Sequence, residues 1–331
     1  MGFKMQLKLI FYKLFNKKLI IINEAAGLGD YLWIRNYFKL IKKSAKYKKY
    51  KIILCATARW AHFAHKLDCN YVDVILPFND PYNPKFREIW ILKIIQFDLF
   101  LNLREYDKHW ATLTNIIKSK EKYDNKTSQN LNYFYHNKHN LNFGQILSIP
   151  NNFKHEIVVN SDRVINERYC ILTVGGFSLG KFSETQLKVI INTVCKYDRI
   201  KILLLGLGAD KKIFENLKNT SSDIKNTLLC GCGNYDTVDL CNLVLNCEYA
   251  ITVNTSIWHL LIQQNKPHLC FCENQEWVLD SLTYSHIDKN FINLYLSDLE
   301  LCKINEKDVE SSVESFLLKL SNIKGGSLCV P

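Results

Sequence analysis

"YAITVNTSIWHLLIQ", residues 249–263, starts as an apolar strand, turns polar at Asn254, Thr255 and Ser256, and becomes apolar again around Trp258, His259 and Leu260. A strand that hands over to a helix through three small polar residues leaves backbone N–H groups at the positive end of the helix dipole, which suits an anion such as phosphate. The same residue types are the preferred helix N-caps, and taken alone a plain cap is the favoured reading. The neighbouring sequence has to separate the two readings.

Outward from this stretch, apolar runs alternate with segments of helical period. The first half offers strands at 18–23 ("KLIIIN"), 51–57, 72–78 and 97–103, and the second at 169–176 ("YCILTVGG"), 201–208 ("KILLLGLG"), 227–232, 249–254 and 267–272. Helical spacing marks 183–197, which Ser183 caps, 235–246, and 306–320, where Val309, Val313, Phe316, Leu317 and Leu320 share a face behind an Asn305 cap. Near-continuous apolar strands alternating with helices predict parallel sheets covered on both faces. The expected fold is α/β: two Rossmann-like, doubly wound domains with a ligand cleft at the carboxyl ends of their strands. The domains are placed at 18–160 and 161–305, after a basic amphipathic helix at 1–17 and before a C-terminal helix and tail at 306–331. The asparagine-rich stretch 119–154 breaks the rhythm and reads as loops and linker.

Bulk composition narrows the function classes. The 331 residues are 47% hydrophobic and 23% charged, a globular balance. No apolar run reaches the roughly 18–20 residues that span a bilayer. Lysines interrupt the first apolar stretch, "MGFKMQLKLIFYKLFNKK", and no small-residue cleavage site follows it, so it does not read as a secretory signal. A cytoplasmic protein, peripheral on a membrane at most, is expected. The twelve cysteines lie mostly inside apolar strands (Cys55, Cys170, Cys270) and read as buried thiols. Paired C-x(2–4)-C spacing is absent, so no metal site is expected. Residues 1–160 carry 26 Lys and Arg against 12 Asp and Glu, while the remainder carries 17 against 20. The excess positive charge of the first half fits an acidic partner, such as anionic lipid or a phosphorylated glycan. Nucleic acid is not expected, because no recognisable reading motif accompanies the charge. Leu7, Ile10, Phe11, Leu14 and Phe15 form one helical face among lysines, which suits a helix on anionic lipid or one packed on the first domain.

Four strand ends carry the polar chemistry. The first strand leads to Gly27-Leu28-Gly29-Asp30, a tight turn with a carboxylate usable as a general base, or as an N-cap. "LTVGGFSLGKFSETQ" places Gly175, Gly176, Ser178 and Lys181 before a helix, a set suited to phosphate, although the P-loop spacing is absent. Gly206-Leu207-Gly208 opens like a dinucleotide fingerprint but lacks its third glycine, and Asp210 is placed to take ribose hydroxyls. The fourth is the opening stretch.

Taken together, in this order and spacing, the four resemble the ADP-heptose:lipopolysaccharide heptosyltransferases, glycosyltransferase family 9. The family's G-x-G-D turn is matched by Gly27 to Asp30, and its P-G-[AT]-S strand end followed by Lys by Gly175 to Ser178 and Lys181. Its G-x-E is matched by Gly208-Ala209-Asp210, and its D-[ST]-G-x-x-H-L turn by Asn254 to Leu260. Asn254 stands where the family has Asp, Ser256 where it has Gly, and Gly175 where it has Pro. The resemblance implies a GT-B arrangement and an inverting, metal-independent glycosyl transfer. It implies Asp30 and Lys181 as catalytic, with Gly27 and Gly29 in the acceptor-side turn. Ser178, Asn254, Thr255, Ser256, Ile257 and His259 would hold the donor diphosphate, and Gly208, Asp210 and Tyr235 the ribose and base. The partners implied are a nucleotide-sugar donor, with ADP-heptose one candidate, an acidic lipid-linked or phosphorylated glycan acceptor, and the inner-membrane surface. No separate cofactor is implied. A non-catalytic nucleotide-sugar-binding protein on the same fold is the alternative, and a nicotinamide dehydrogenase a more distant one.

Overall fold

The computed structural model describes residues 3–23, 28–79, 85–102, 115–123, 164–176, 180–220, 222–273 and 289–323. The chain divides into two compact units, Met1–Phe153 and Lys154–Pro331.

The first unit runs α1 (Phe3–Leu14), β1 (Leu19–Asn23), α2 (Leu28–Lys43), β2 (Lys51–Thr57), α3 (Ala58–Asp68), β3 (Val74–Phe78), α4 (Phe86–Ile94), β4 (Gln96–Asn102) and β5 (Lys118–Tyr123). Its five strands are parallel in the order β3-β2-β1-β4-β5. β1 and β2 are buried because both faces are covered, which is why they read as unbroken apolar runs. Leu9 and Tyr12 of α1 join Leu19, Ile21, Ile53, Phe97 and Phe100 in the core. α1 ends in a Schellman motif: Asn16 has φ 49°, the Lys17 N–H bonds Tyr12 O at 2.9 Å, and the Asn16 N–H bonds Lys13 O at 3.0 Å. β5, "KSKEKY", falls at the start of the stretch read from sequence as loop and linker. It carries no apolar signal because it is an edge strand, where charge is normal, and Lys120 pairs with Asp98 at 2.8 Å.

The second unit runs β6 (Tyr169–Thr173), β7 (Gly175–Gly176), β8 (Gly180–Lys181), α5 (Glu184–Tyr197), β9 (Lys201–Leu205), α6 (Lys211–Lys218), α7 (Ser222–Thr227), β10 (Leu228–Cys230), α8 (Thr237–Asn246), β11 (Ala250–Val253), α9 (Ser256–Gln263), β12 (His268–Glu273), β13 (Ile292–Ser297) and α10 (Glu306–Ile323). Six parallel strands lie in the order β10-β9-β6-β11-β12-β13. With β6 counted as first, this is the 3-2-1-4-5-6 order of a Rossmann sheet. The predicted face of α10 is buried, and the Lys307 N–H bonds the Asn305 side chain at 2.9 Å, as the cap reading expects. Cys55, Cys170, Cys270 and Cys272 are free and buried. Burial pushes the Cys55 and Cys170 thiols far up, out of the reactive range.

Candidate functional site

In an open α/β sheet the ligand crevice lies where the strand order reverses, outside the carboxyl ends of the strands. In the second unit that point falls between β6 and β11, which are hydrogen-bonded neighbours. β6 leads to Gly175 and Gly176, and β11 ends at the Asn254-Thr255-Ser256 turn. The two meet directly. A Cβ built on Gly176 would lie 2.8 Å from Thr255 Cγ2, 2.9 Å from Val253 Cγ2 and 3.1 Å from Asn254 O. Only glycine lets the β7 backbone approach the turn this closely.

β7 and β8 form a small antiparallel ladder in which Gly175 faces Lys181. Lys181 is therefore brought back from the hairpin to the same strand ends. Its Nζ is ion-paired with the Asp210 carboxylate. Asp210 follows β9, the neighbour of β6 on the other side, and closes a tight turn over Gly208–Asp210. Its Oδ2 accepts the Leu207 N–H at 2.7 Å, and a Cβ on Gly206 would lie 2.8 Å from that same oxygen. The Asp210 side chain is buried while Lys181 is about half exposed. In this geometry the carboxylate holds Lys181 at the strand ends.

Thr255 occupies the N-cap position of α9, yet its side chain makes no capping hydrogen bond. Thr255 Oγ1 is buried without a partner. Two other helices of this unit are closed differently. Ser183 accepts the Gln186 N–H in a capping box on α5, and Asp236 accepts the Val238 and Asp239 N–H groups on α8. The first-turn amides of α9 have no intrahelical acceptor, and the cap side chain does not supply one. Asn254, Ser256 and His259 are half-buried and Ile257 is buried. Asn254 is anchored through its N–H to Phe271 O at 3.2 Å. The arrangement offers an anion a helix N-terminus, an unbonded hydroxyl and a lysine at adjacent strand ends. Tyr235 is half-buried in the turn between β10 and α8, one strand further out. Ser178 and Gly27 lie outside the described residues.

Behind the turn lies a support that sequence reading missed. The Trp258 Nε1–H donates to His268 Nε2 at 3.2 Å, and His268 Nδ1 lies 2.7 Å from Lys266 O. Indole N–H only donates, so Nε2 is the acceptor and the proton sits on Nδ1, donated to the carbonyl. Burial pushes His268 down to about 4, so the ring is neutral at pH 7. It ties α9 to β12.

In the first unit the order reverses between β1 and β4. There Asn23 and Asn102, register partners at the strand ends, are hydrogen-bonded side chain to side chain at 2.9 Å, and Asn23 Oδ1 is buried without a partner. "LIIIN" displays this polar terminus, but only the register pairs it with Asn102. Gly29 and Asp30 lie in the first turn of α2. That turn is pinned one residue on. The Tyr31 hydroxyl bonds the Asp68 carboxylate, Arg35 reaches the same group at 3.0 and 3.3 Å, and the Tyr31 ring stacks on Trp60. Burial raises Asp68 above the usual carboxylate range, against the pull of Arg35.

No family model matches the chain, and no curated protein matches it in sequence. Solved structures do match it along nearly its whole length. The E. coli heptosyltransferase WaaC, solved with ADP, covers 92% of this chain and 99% of its own at TM-score 0.68 and 12% identity. The fold is that of the GT-B glycosyltransferases. A glycosyltransferase of family 9 from Veillonella parvula covers 91% of this chain and 98% of its own, at TM-score 0.68 and 11% identity. The E. coli ADP-heptose LPS heptosyltransferase II covers 91% and 99%, at TM-score 0.60 and 12% identity. The resemblance read from four strand ends thus holds at the level of fold.

Proposed function

We propose that the chain is a glycosyltransferase that moves a sugar, heptose or a relative, from a nucleotide-sugar donor to an acidic surface glycan of the lipopolysaccharide type. The observation that carries this reading is the uncapped N-terminus of α9, with its unpartnered Thr255 hydroxyl, beside Lys181 at the reversal point of the second sheet. ADP in the E. coli relative makes an adenosine diphosphate donor the first to try. The donor diphosphate takes hydrogen bonds from the turn amides and Thr255 and charge from Lys181, and Gly208, Asp210 and Tyr235 line the nucleoside side. The acceptor hydroxyl gives its proton to Asp30 as its oxygen bonds the anomeric carbon from the face opposite the diphosphate. The anomeric C–O bond breaks, and its electron pair leaves with the diphosphate, where Lys181, the amides and the α9 dipole stabilise it. This displacement inverts the anomeric centre and needs neither a metal nor a separate cofactor. The basic first unit attracts the acidic acceptor at the cytoplasmic face of the inner membrane.

The experiment is release of nucleoside diphosphate from nucleotide sugars with and without glycan acceptors, for wild type and Asp30→Asn. Acceptor-dependent release that Asp30→Asn reduces at least about 100-fold supports the reading. Unchanged turnover in Asp30→Asn removes Asp30 from the role of base. Asn254 and Ser256, which depart from the family pattern, favour one second reading, a nucleotide-sugar-binding protein without transfer. Binding with no release on any acceptor would select it.

A further inference from the structure

We propose that the outer face of α1 docks the protein on an anionic lipid bilayer. Among the described residues this helix is apolar on two opposite faces. Leu9 and Tyr12 form the inner one, in the core of the first unit, with the polar Gln6 buried next to them. Leu7, Phe11 and Leu14 point the opposite way at 3.6 residues per turn, and Phe15 follows them in the closing turn. They are 47%, 53%, 74% and 59% exposed, and the Phe11 and Phe15 rings lie 4.2 Å apart. A packed surface helix normally carries polar residues on this side. The helix on lipid and the helix packed on the domain were alternatives for this segment in the sequence. In the structure the packing uses the other face, so it leaves the stripe uncovered.

Charge selects the occupant. The first 153 residues hold 25 Lys and Arg against 11 Asp and Glu. Lys4, Lys17 and Lys18, all exposed, bracket the stripe along the chain. Lys42 and Lys51, by contrast, are neutralised by Asp73 at 2.7 Å each. An apolar stripe with a lysine margin on a strongly basic unit matches an interface of acyl chains under anionic headgroups. A second copy of this chain would bring like charge against like. Because the inner face stays anchored in the core, the helix can engage lipid without unfolding.

The test uses the full chain. Flotation with vesicles of phosphatidylcholine alone and of equal phosphatidylcholine and phosphatidylglycerol should show binding only to the second, and weakening at about 0.5 M salt. Leu7→Gln/Phe11→Gln/Leu14→Gln, which keep good helix formers in place, should lower the partition coefficient at least about tenfold while leaving the melting temperature unchanged, since these side chains are exposed. Lys4→Gln/Lys17→Gln/Lys18→Gln should lower it by about fivefold per lysine. Phe11→Trp should blue-shift and be quenched by brominated lipid acyl chains. Three results would overturn the proposal: no binding to the anionic vesicles by folded protein, a dimer in solution that the apolar substitutions dissociate, or a melting temperature that they lower, which would mean the chain itself covers the stripe.

Discussion

His268 makes the stability of the second unit sensitive to acid in a calculable way. Its ring is fully buried between Trp258 and the Lys266 carbonyl, and burial pushes it down to about 4. In the unfolded chain a histidine titrates near 6.5. The folded value is the lower of the two, so as pH falls the unfolded state takes the proton first. The contribution to stability is fully present above about pH 6.5 and is lost as pH falls towards 4. Between pH 8 and pH 5 the loss amounts to about 2 kcal/mol, and by pH 4 it is about 3 kcal/mol. His268→Gln keeps an acceptor for the Trp258 N–H but cannot be protonated. Urea unfolding at pH 8 and pH 5, read by hydrogen exchange in peptides covering β11 to β12, gives the difference of differences, in which other titrating groups cancel. The expected result is that the variant loses about 2 kcal/mol less than wild type over this interval. A variant as acid-sensitive as wild type would refute the neutral buried imidazole.

Three further perturbations separate support from function. Thr255→Val removes a buried hydroxyl that bonds nothing, so urea stability should hold or rise by up to about 1 kcal/mol, whereas Ser183→Ala, which breaks a capping box, should cost about 1 kcal/mol. If Thr255→Val instead costs as much as Ser183→Ala, the hydroxyl is an ordinary cap. Gly176→Ala drives a methyl into Thr255 and Val253 and should destabilise by about 1–3 kcal/mol, with a displaced turn visible in amide chemical shifts. Arg35→Met strands the Asp68 carboxylate in the core and should cost about 3–5 kcal/mol at pH 7. That cost shrinks as pH falls through the raised Asp68 value, and Asp68→Asn in the same chain recovers part of it. An Arg35→Met penalty independent of pH would mean that the charge is not what matters.

The strands of both sheets that are covered on each face were legible because burial forces unbroken runs of Ile, Leu, Val and Cys. β5 was not, since an edge strand needs few apolar residues and "KSKEKY" has only its last, Tyr123. Residues 254–256 were legible as a junction but open between cap and anion site. That choice depends on whether the Thr255 hydroxyl finds a bond, which no residue pattern states. Asp210 was read as a ribose ligand from its place after a strand. Its carboxylate is engaged by Lys181 and the Leu207 N–H, a contact between residues 29 positions apart that only the sheet order creates. The same holds for Asn23 with Asn102 and for Trp258 with His268, whose polar atoms sit inside apolar segments and meet through register and packing. The stripe on α1 was visible as periodicity, but which of its faces packs inward was not.

The central claim is that the reversal point of the second sheet binds a nucleoside diphosphate through α9 and Lys181. Thermal-shift titration with ADP, UDP, GDP, CMP and their sugar conjugates tests it most directly. A ligand at 100 times its dissociation constant adds about 2.7 kcal/mol, a readily measured shift. The account predicts a shift with one diphosphate and its conjugates that Lys181→Ala and Thr255→Val both reduce while the unliganded proteins remain folded. No shift with any of them, or a shift that neither substitution touches, would contradict it.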